Sequence, residues 1–210
     1  LHGNSIEEDL HLRDFTINAM AIPLTVAAQH LTQGTPLPLL DPLHGIDDLQ
    51  RGCLRAVSNN SFQQDPLRML RAQRFMQRYQ LTLEPDTDAM LIRDAALLTK
   101  IAGERVHDEI YAILAPRGGT EQLHFLDSHG LLTVLIPEFV PARGMPQPTL
   151  HHWDVLEHSL ETVAYLEQLA AILQQSEQEI ERSPLNSSGQ GDLAMIQVLL
   201  HEAEQQGIFS

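Results

Sequence analysis

The chain has 210 residues, 43% of them hydrophobic, and a formal net charge of −15. That is enough apolar material for one large domain or two small ones. No apolar run is long enough to cross a bilayer, no basic-then-apolar signal opens the chain, and the single cysteine, Cys53, excludes an internal disulfide framework. A cytosolic protein is the simplest reading, with Cys53 expected to be buried and unreactive. The acidic balance runs against the basic footprint usual for a nucleic-acid binder, but arginines cluster between Arg68 and Arg78. A local basic face is compatible with an acidic whole. The chain opens on Leu1 and stops at Ser210 without an obvious terminator, so a piece of a longer protein is expected.

In chain order, Ile6 to Asp14 is polar, and Phe15 to Leu24 is apolar with β-branched members, which predicts a strand or a buried helix-to-strand segment. A turn signal at 33–36 precedes a second short strand candidate, Leu37 to Leu40; Asp41-Pro42 and Gly45 mark another turn, and Leu54 to Val57 is a third strand candidate. From Asn60 the pattern turns helical. Asp65-Pro66 reads as a capped helix start, followed by an apolar stripe of Met69, Ala72, Met76 and Tyr79. Further helices are predicted at about 85–97, 103–115, 119–129 and 150–175. Glu138 to Pro148, with three prolines and a glycine, reads as a linker, and Ser183 to Gly191 as a flexible polar loop. The expected organisation is an α/β remnant over 1–57, a helical part over 58–137, a linker over 138–148 and a second helical module over 149–210.

Two segments carry chemistry. In the first, Asp65, Arg68, Arg71, Arg74 and Arg78 fall three or four apart and share a helix face. One reading is a capped helix with an Asp65–Arg68 pair and a solvated arginine face. The other is a base-reading edge. Asp65 accepts from the exocyclic amine of cytosine or adenine, Arg68 donates to the bare ring nitrogen beside it, and the other arginines meet a triphosphate. Uracil and guanine would set a carbonyl against the carboxylate and leave buried groups unpaired. In the second segment, Arg13, Asp14 and Asn18 punctuate an apolar run. They read either as a capped short helix or as contacts to phosphate (Arg13) and ribose hydroxyls (Asp14, Asn18).

Taken together, Arg-Asp-Phe-Thr-Ile-Asn-Ala-Met (13–20), Leu-Asp-Pro-Leu-His-Gly-Ile-Asp-Asp-Leu (40–49), Phe-Gln-Gln-Asp-Pro-Leu-Arg-Met-Leu-Arg-Ala-Gln-Arg-Phe (62–75) and Gly103-Glu104-Arg105-Val106 with Glu109 resemble the class II tRNA nucleotidyltransferase (CCA-adding) and bacterial poly(A) polymerase family. Four motifs in the family order, spread from about Ile6 to Ile136, favour the functional reading of both segments. The resemblance implies an α+β fold dominated by helix: the end of a nucleotidyltransferase palm, a helical neck and body, and the start of an HD-like module. It implies addition of C and/or A from CTP and ATP to the 3′ end of tRNA or another RNA, with magnesium. Arg13, Asp14 and Asn18 would contact the phosphate and ribose of the nucleotide, and Asp65 and Arg68 would select its base. Arg71 and Arg74 would lie beside the nucleotide. Asp41, Gly45 and Asp48 would form a hinge segment between palm and neck, and Glu104 and Arg105 would buttress the neck.

The sequence departs from the family at Leu12, where a second arginine is common, and at Gln64, where glutamate is usual. The glycine-rich phosphate loop and Asp-x-Asp metal pair would lie upstream of Ile6, so no catalytic carboxylate and no metal ligand is expected in this chain. The run Glu7, Glu8, Asp9 reads as a solvated spacer. His151-His152-Trp153-Asp154 with His158 resembles the opening of an HD-type domain, with Leu200-His201-Glu202 the candidate for its His-Asp pair. An incomplete ligand set instead reads as a helix-capping cluster with an Asp154–His158 pair. Two other functions stay open: an HD-type metal-dependent phosphohydrolase, and a non-catalytic RNA-binding fragment.

Overall fold

The computed structural model describes residues 5–24, 26–27, 34, 38–116, 118–146 and 153–182, with side chains through 173 in the last segment. The turn at 33–36, except for Gly34, and the features expected at Leu37, His151, His152, the loop at 183–191 and Leu200-His201-Glu202 lie outside the described residues. Contacts divide the chain into two compact units: residues 1–115 with 125–137, and residues 116–124 with 138–210. The described part is mostly helical, as expected, and none of its helices is long and apolar enough to cross a membrane.

The first unit opens with helix α1 (Ile6–His11), whose N-cap Ser5 accepts the Glu8 N–H. The apolar run after it is not a strand. It makes a 3₁₀ turn at Thr16–Asn18 flanked by two single antiparallel bridges, Phe15 to Ala56 and Ala21 to Leu40. Of the second strand candidate Leu40 keeps one bridge, and of the third Leu54 ends a two-residue strand that starts at Cys53 while Ala56 keeps the bridge to Phe15. Helix α2 (Gly45–Gln50) follows. Asp41 receives the Gly45 and Ile46 N–H groups at 2.7 and 3.0 Å, satisfying two orphan donors of its first turn. Strand β1 (Cys53–Leu54) leads to helix α3 (Ser61–Gln64) and helix α4 (Arg68–Tyr79), then to strand β2 (Thr82–Leu83), which pairs parallel with β1 in the register Cys53–Thr82 and Leu54–Leu83.

Helix α4 begins two residues later than Asp65-Pro66 predicts. Asp65 closes α3 in an extended conformation, and its Oδ1 accepts the Leu67 N–H at 3.2 Å. The apolar stripe also turns. Met69, Leu70, Ala72 and Gln73 are buried, whereas Tyr79 is exposed, stacked on Phe75 with the Arg78 guanidinium over its ring. Helix α5 (Pro85–Asp94) has proline in its first turn and Glu84 as its cap, accepting the Thr87 N–H at 2.9 Å. The predicted continuation to residue 97 is instead a 3₁₀ stretch, Ala95–Lys100. Helix α6 (Gly103–Leu114) follows; helix α7 (Gly119–Ser128) has its first six residues in the second unit and its last four in the first, and helix α8 (Leu131–Leu135) belongs to the first. The core of the first unit centres on Phe15, Leu54, Phe62, Met69, Leu70 and Leu91, all without solvent exposure.

In the second unit the expected linker carries a 3₁₀ helix, Pro137–Ala142, and the last predicted helix is α9 (Val155–Arg182). Asp154 caps α9, accepting the Glu157 N–H at 2.8 Å and also the Gly144 N–H at 2.7 Å. Those backbone bonds hold its carboxyl below the usual carboxylate range. This capping matches the helix-start reading of the segment around His158.

Candidate nucleotide-binding cleft

Leu12, Arg13, Asp14 and Asn18 meet Asp65, Leu67, Arg68, Arg71 and Arg105 around one open cleft of about 430 Å³ in the first unit. Six of the seven residues singled out from sequence are among them. Arginines outnumber aspartates in this lining four to two, with Asp9 beside Arg13 and Glu109 beside Arg71 as further counter-charges.

Asp14 is the hinge pin of the cleft. It is 7% exposed. Its Oδ1 accepts the Phe15 N–H at 2.9 Å and Asn18 Nδ2 at 3.1 Å, while Oδ2 accepts Arg71 Nε at 2.8 Å and Nη2 at 2.5 Å. Burial pushes the carboxyl up, but the hydrogen bonds from Asn18 and Arg71 and the charge of Arg71 outweigh it and leave it below its ordinary value. The residue thus does both things its sequence allowed: it opens the 3₁₀ turn that contains Asn18, and it ties that turn to helix α4. Arg71 also lies 3.9 Å from Glu109 of α6.

Asp65 and Arg68 do not pair with each other. Asp65 Oδ2 meets Arg105 Nη2 at 3.1 Å, an ion pair across 40 residues. Arg68 spends Nη1 on the Ser61 carbonyl, Ser61 Oγ and Gln64, and Nη2 on the Leu12 carbonyl at 2.7 Å. Gln64, the residue where the family usually has glutamate, is therefore a neutral neighbour of Arg68. A carboxylate offers about four acceptor positions and a guanidinium five donors, so both groups keep edges to present. Arg105, expected only as a neck buttress, contributes its own edge to the lining.

Two assignments sit differently from expectation. Arg74 is not in the lining: its Nε stands 2.8 Å from Glu109 Oε2, and its guanidinium lies over Phe75. Arg13 is in the lining, but its Nη2 contacts Asp9 at 2.6 Å. Asp9 is only 2% exposed, which corrects its reading as part of a solvated spacer, while Glu7 and Glu8 are exposed as that reading expects. Asp9 is a buried counter-charge held one helical turn before Arg13.

Asp48 and Gly45, expected in a segment between palm and neck, lie against the 3₁₀ turn and outside the cleft lining. Asp48 is 3% exposed, receives Thr16 Oγ1 at 2.8 Å, and pairs with Arg55 at 3.1 Å. Gly45 packs so close to Thr16 that an added Cβ would come 2.2 Å from its carbonyl oxygen. Cys53 is half-buried rather than buried. Desolvation and the charge of Asp48 push its thiol pKa up, which keeps it a poor nucleophile, as expected.

The cleft does not fit a magnesium ion. Asp14 already accepts four hydrogen bonds, and Asp65, the other carboxylate of the lining, is paired with Arg105 among four arginines that repel a cation. Among the described residues, the one group of three His, Asp or Glu donors that converges is His124, Glu157 and Glu161, in the second unit.

Residues 2–55 match the family model described as "Poly A polymerase head domain", and residues 80–142 match "Probable RNA and SrmB- binding site of polymerase A". The A-adding tRNA nucleotidyltransferase of Deinococcus radiodurans is 38% identical over 77% of this chain and 36% of its own length. The CC-adding tRNA nucleotidyltransferase of Synechocystis is 42% identical over 55% and 26%. The chain thus spans about a third of the length of the curated relatives it matches. Among solved structures, the Thermotoga maritima CCA-adding enzyme complexed with tRNA superposes with a TM-score of 0.57 at 26% identity, over 85% of this chain and 37% of that one. The Bacillus stearothermophilus enzyme in complex with CTP gives 0.55 at 32%, over 63% and 31%. Head motif, neck motifs and fold agree: this chain belongs to the CCA-adding tRNA nucleotidyltransferase family.

Proposed function

We propose that this chain is the nucleotide-selecting part of a template-independent RNA nucleotidyltransferase that adds C and/or A to the 3′ end of tRNA in the cytoplasm. The observation that carries the reading is the convergence of Arg13, Asp14, Asn18, Asp65, Arg68 and Arg71 on one cleft from segments about fifty residues apart. In the reaction, the RNA 3′-hydroxyl oxygen bonds to the α-phosphorus of CTP or ATP, and the bond to pyrophosphate breaks. Asp65 accepts from the exocyclic amine and Arg68 donates to the neighbouring ring nitrogen. Arg105 holds Asp65 in place, and Asn18 reaches a ribose hydroxyl. Arg13 and Arg71 face the phosphates. Magnesium supplies charge neutralisation when bound, on carboxylates that the reading places in a segment before this chain. Residues 1–57 are then the end of the head, 58–137 the neck and body, and 149–210 an appended helical module. Arg74 acts from the rear of the cleft, through Glu109.

The test is equilibrium binding of CTP, ATP, UTP and GTP to this chain, by competition against a fluorescent ATP analogue. CTP and ATP are expected to displace it at least tenfold more effectively than UTP and GTP, a margin of about 1.4 kcal/mol. Equal displacement by all four would overturn the base-selecting role. Incubated with tRNA lacking its 3′ end, magnesium, CTP and ATP, the chain by itself is expected to give no extension.

A further inference from the structure

In the second unit, helices α7 and α9 run antiparallel and are fastened at one end by Glu167. Its Oε1 accepts the Gly119 N–H at 2.6 Å, and its Oε2 accepts the Thr120 N–H at 3.2 Å and Thr120 Oγ1 at 2.7 Å. Further along α7 and further back along α9, the same seam brings His124 against Glu161, with Nε2 3.7 Å from Oε1. One donor atom each from His124, Glu157 and Glu161 lies within 4.8 Å of the others.

We propose that His124, Glu157 and Glu161 bind one divalent transition-metal ion of the zinc class, closing the α7–α9 seam at a second point. Glu157 and Glu161 are four residues apart on one helix, so their carboxylates share a face and repel each other without a cation. The group set against them is an imidazole, a good metal ligand. The spacing fits. Ligand atoms around tetrahedral zinc, at bonds of about 2.0–2.2 Å, stand roughly 3.4 Å apart. The His124–Glu161 distance is close to that, and the long glutamate side chains close the remaining gap by rotation. All three residues are partly shielded from solvent, and three protein ligands leave a fourth position for water. One nitrogen and two oxygens favour zinc over magnesium, because magnesium binds imidazole poorly. The site shares no residue with the nucleotide cleft.

The experiment is a zinc titration of the chain, stripped with chelator and followed by competition with a chromophoric zinc indicator. Cobalt(II) absorption serves as a second reading. One equivalent of zinc is expected to bind. Affinity is expected to fall at least tenfold in His124→Ala and in Glu161→Gln, and by a smaller factor in Glu157→Gln, while His158→Ala binds as wild type. Far-UV circular dichroism checks that each variant is folded. Both the histidine and Glu161 are partly exposed, with side chains at 38% and 28%, so truncation leaves no core void. Zinc should also raise the Tm of the wild type and not that of His124→Ala. No binding at micromolar zinc would overturn the proposal. So would binding that survives His124→Ala, or that is lost in His158→Ala instead.

Discussion

Arg71 Nε stands 2.8 Å from Asp14 Oδ2, joining helix α4 to the 3₁₀ turn at Thr16–Asn18 across 57 residues of sequence. Asp14 is buried and Arg71 is one-third exposed, so removing the arginine strands a carboxylate in a poorly solvated place. Arg71→Ala is expected to destabilise the chain by about 3 kcal/mol, the low end for breaking a buried pair. Urea denaturation measures it. In a double-mutant cycle, adding Asp14→Asn should recover part of the loss, because an amide tolerates the absence of the guanidinium better than a carboxylate does.

The same pair gives a pH dependence. The folded pKa of Asp14 lies below its ordinary value of 3.8. Its stabilisation is therefore fully present above 3.8 and lost as pH falls below that value through the folded pKa. The stability gap between wild type and Asp14→Asn should be constant above that point and narrow on further acidification. A gap that stays the same down to acid unfolding would show that Asp14 contributes no charge interaction.

Base selection separates Asp65 from Arg74 when the chain is joined to a head segment bearing the metal carboxylates. Asp65→Ala removes the acceptor for the amine, and discrimination against UTP and GTP should fall by about 1–3 kcal/mol. Arg74→Ala should lower kcat/KM for all four nucleotides alike, since Arg74 is held by Glu109 rather than set in the lining. If Asp65→Ala slows every nucleotide equally, its role is confined to holding Arg105 and the Leu67 N–H.

Gly45→Ala tests the packing against the 3₁₀ turn. The added methyl would meet the Thr16 carbonyl, a backbone group that cannot rotate away, so a loss of about 1–3 kcal/mol is expected from overpacking. Chemical denaturation reads the loss. The shift of Thr16 should also weaken nucleotide binding through Asn18 and Asp14.

The order of motifs marks seven residues as nucleotide contacts, six of which line one cleft, and the elements of the fold are written in the local periodicity and caps of their own residues. Helix α5 shows this best, with Glu84 and Pro85 marking its start. What the sequence left open was every choice of partner. Asp65 had Arg68 three residues away and took Arg105, forty residues away. Asp9 looked solvated and is buried against Arg13. Arg74 faced the nucleotide on a helical wheel and is held by Glu109. The parallel pairing of Cys53–Leu54 with Thr82–Leu83 has only two residues per strand, too few for an alternating pattern. His124 meets Glu157 and Glu161 only because α7 and α9 lie antiparallel. Local periodicity fixes which face a side chain occupies, but an ion pair forms with whichever opposite charge the packing of distant helices brings within about 4 Å.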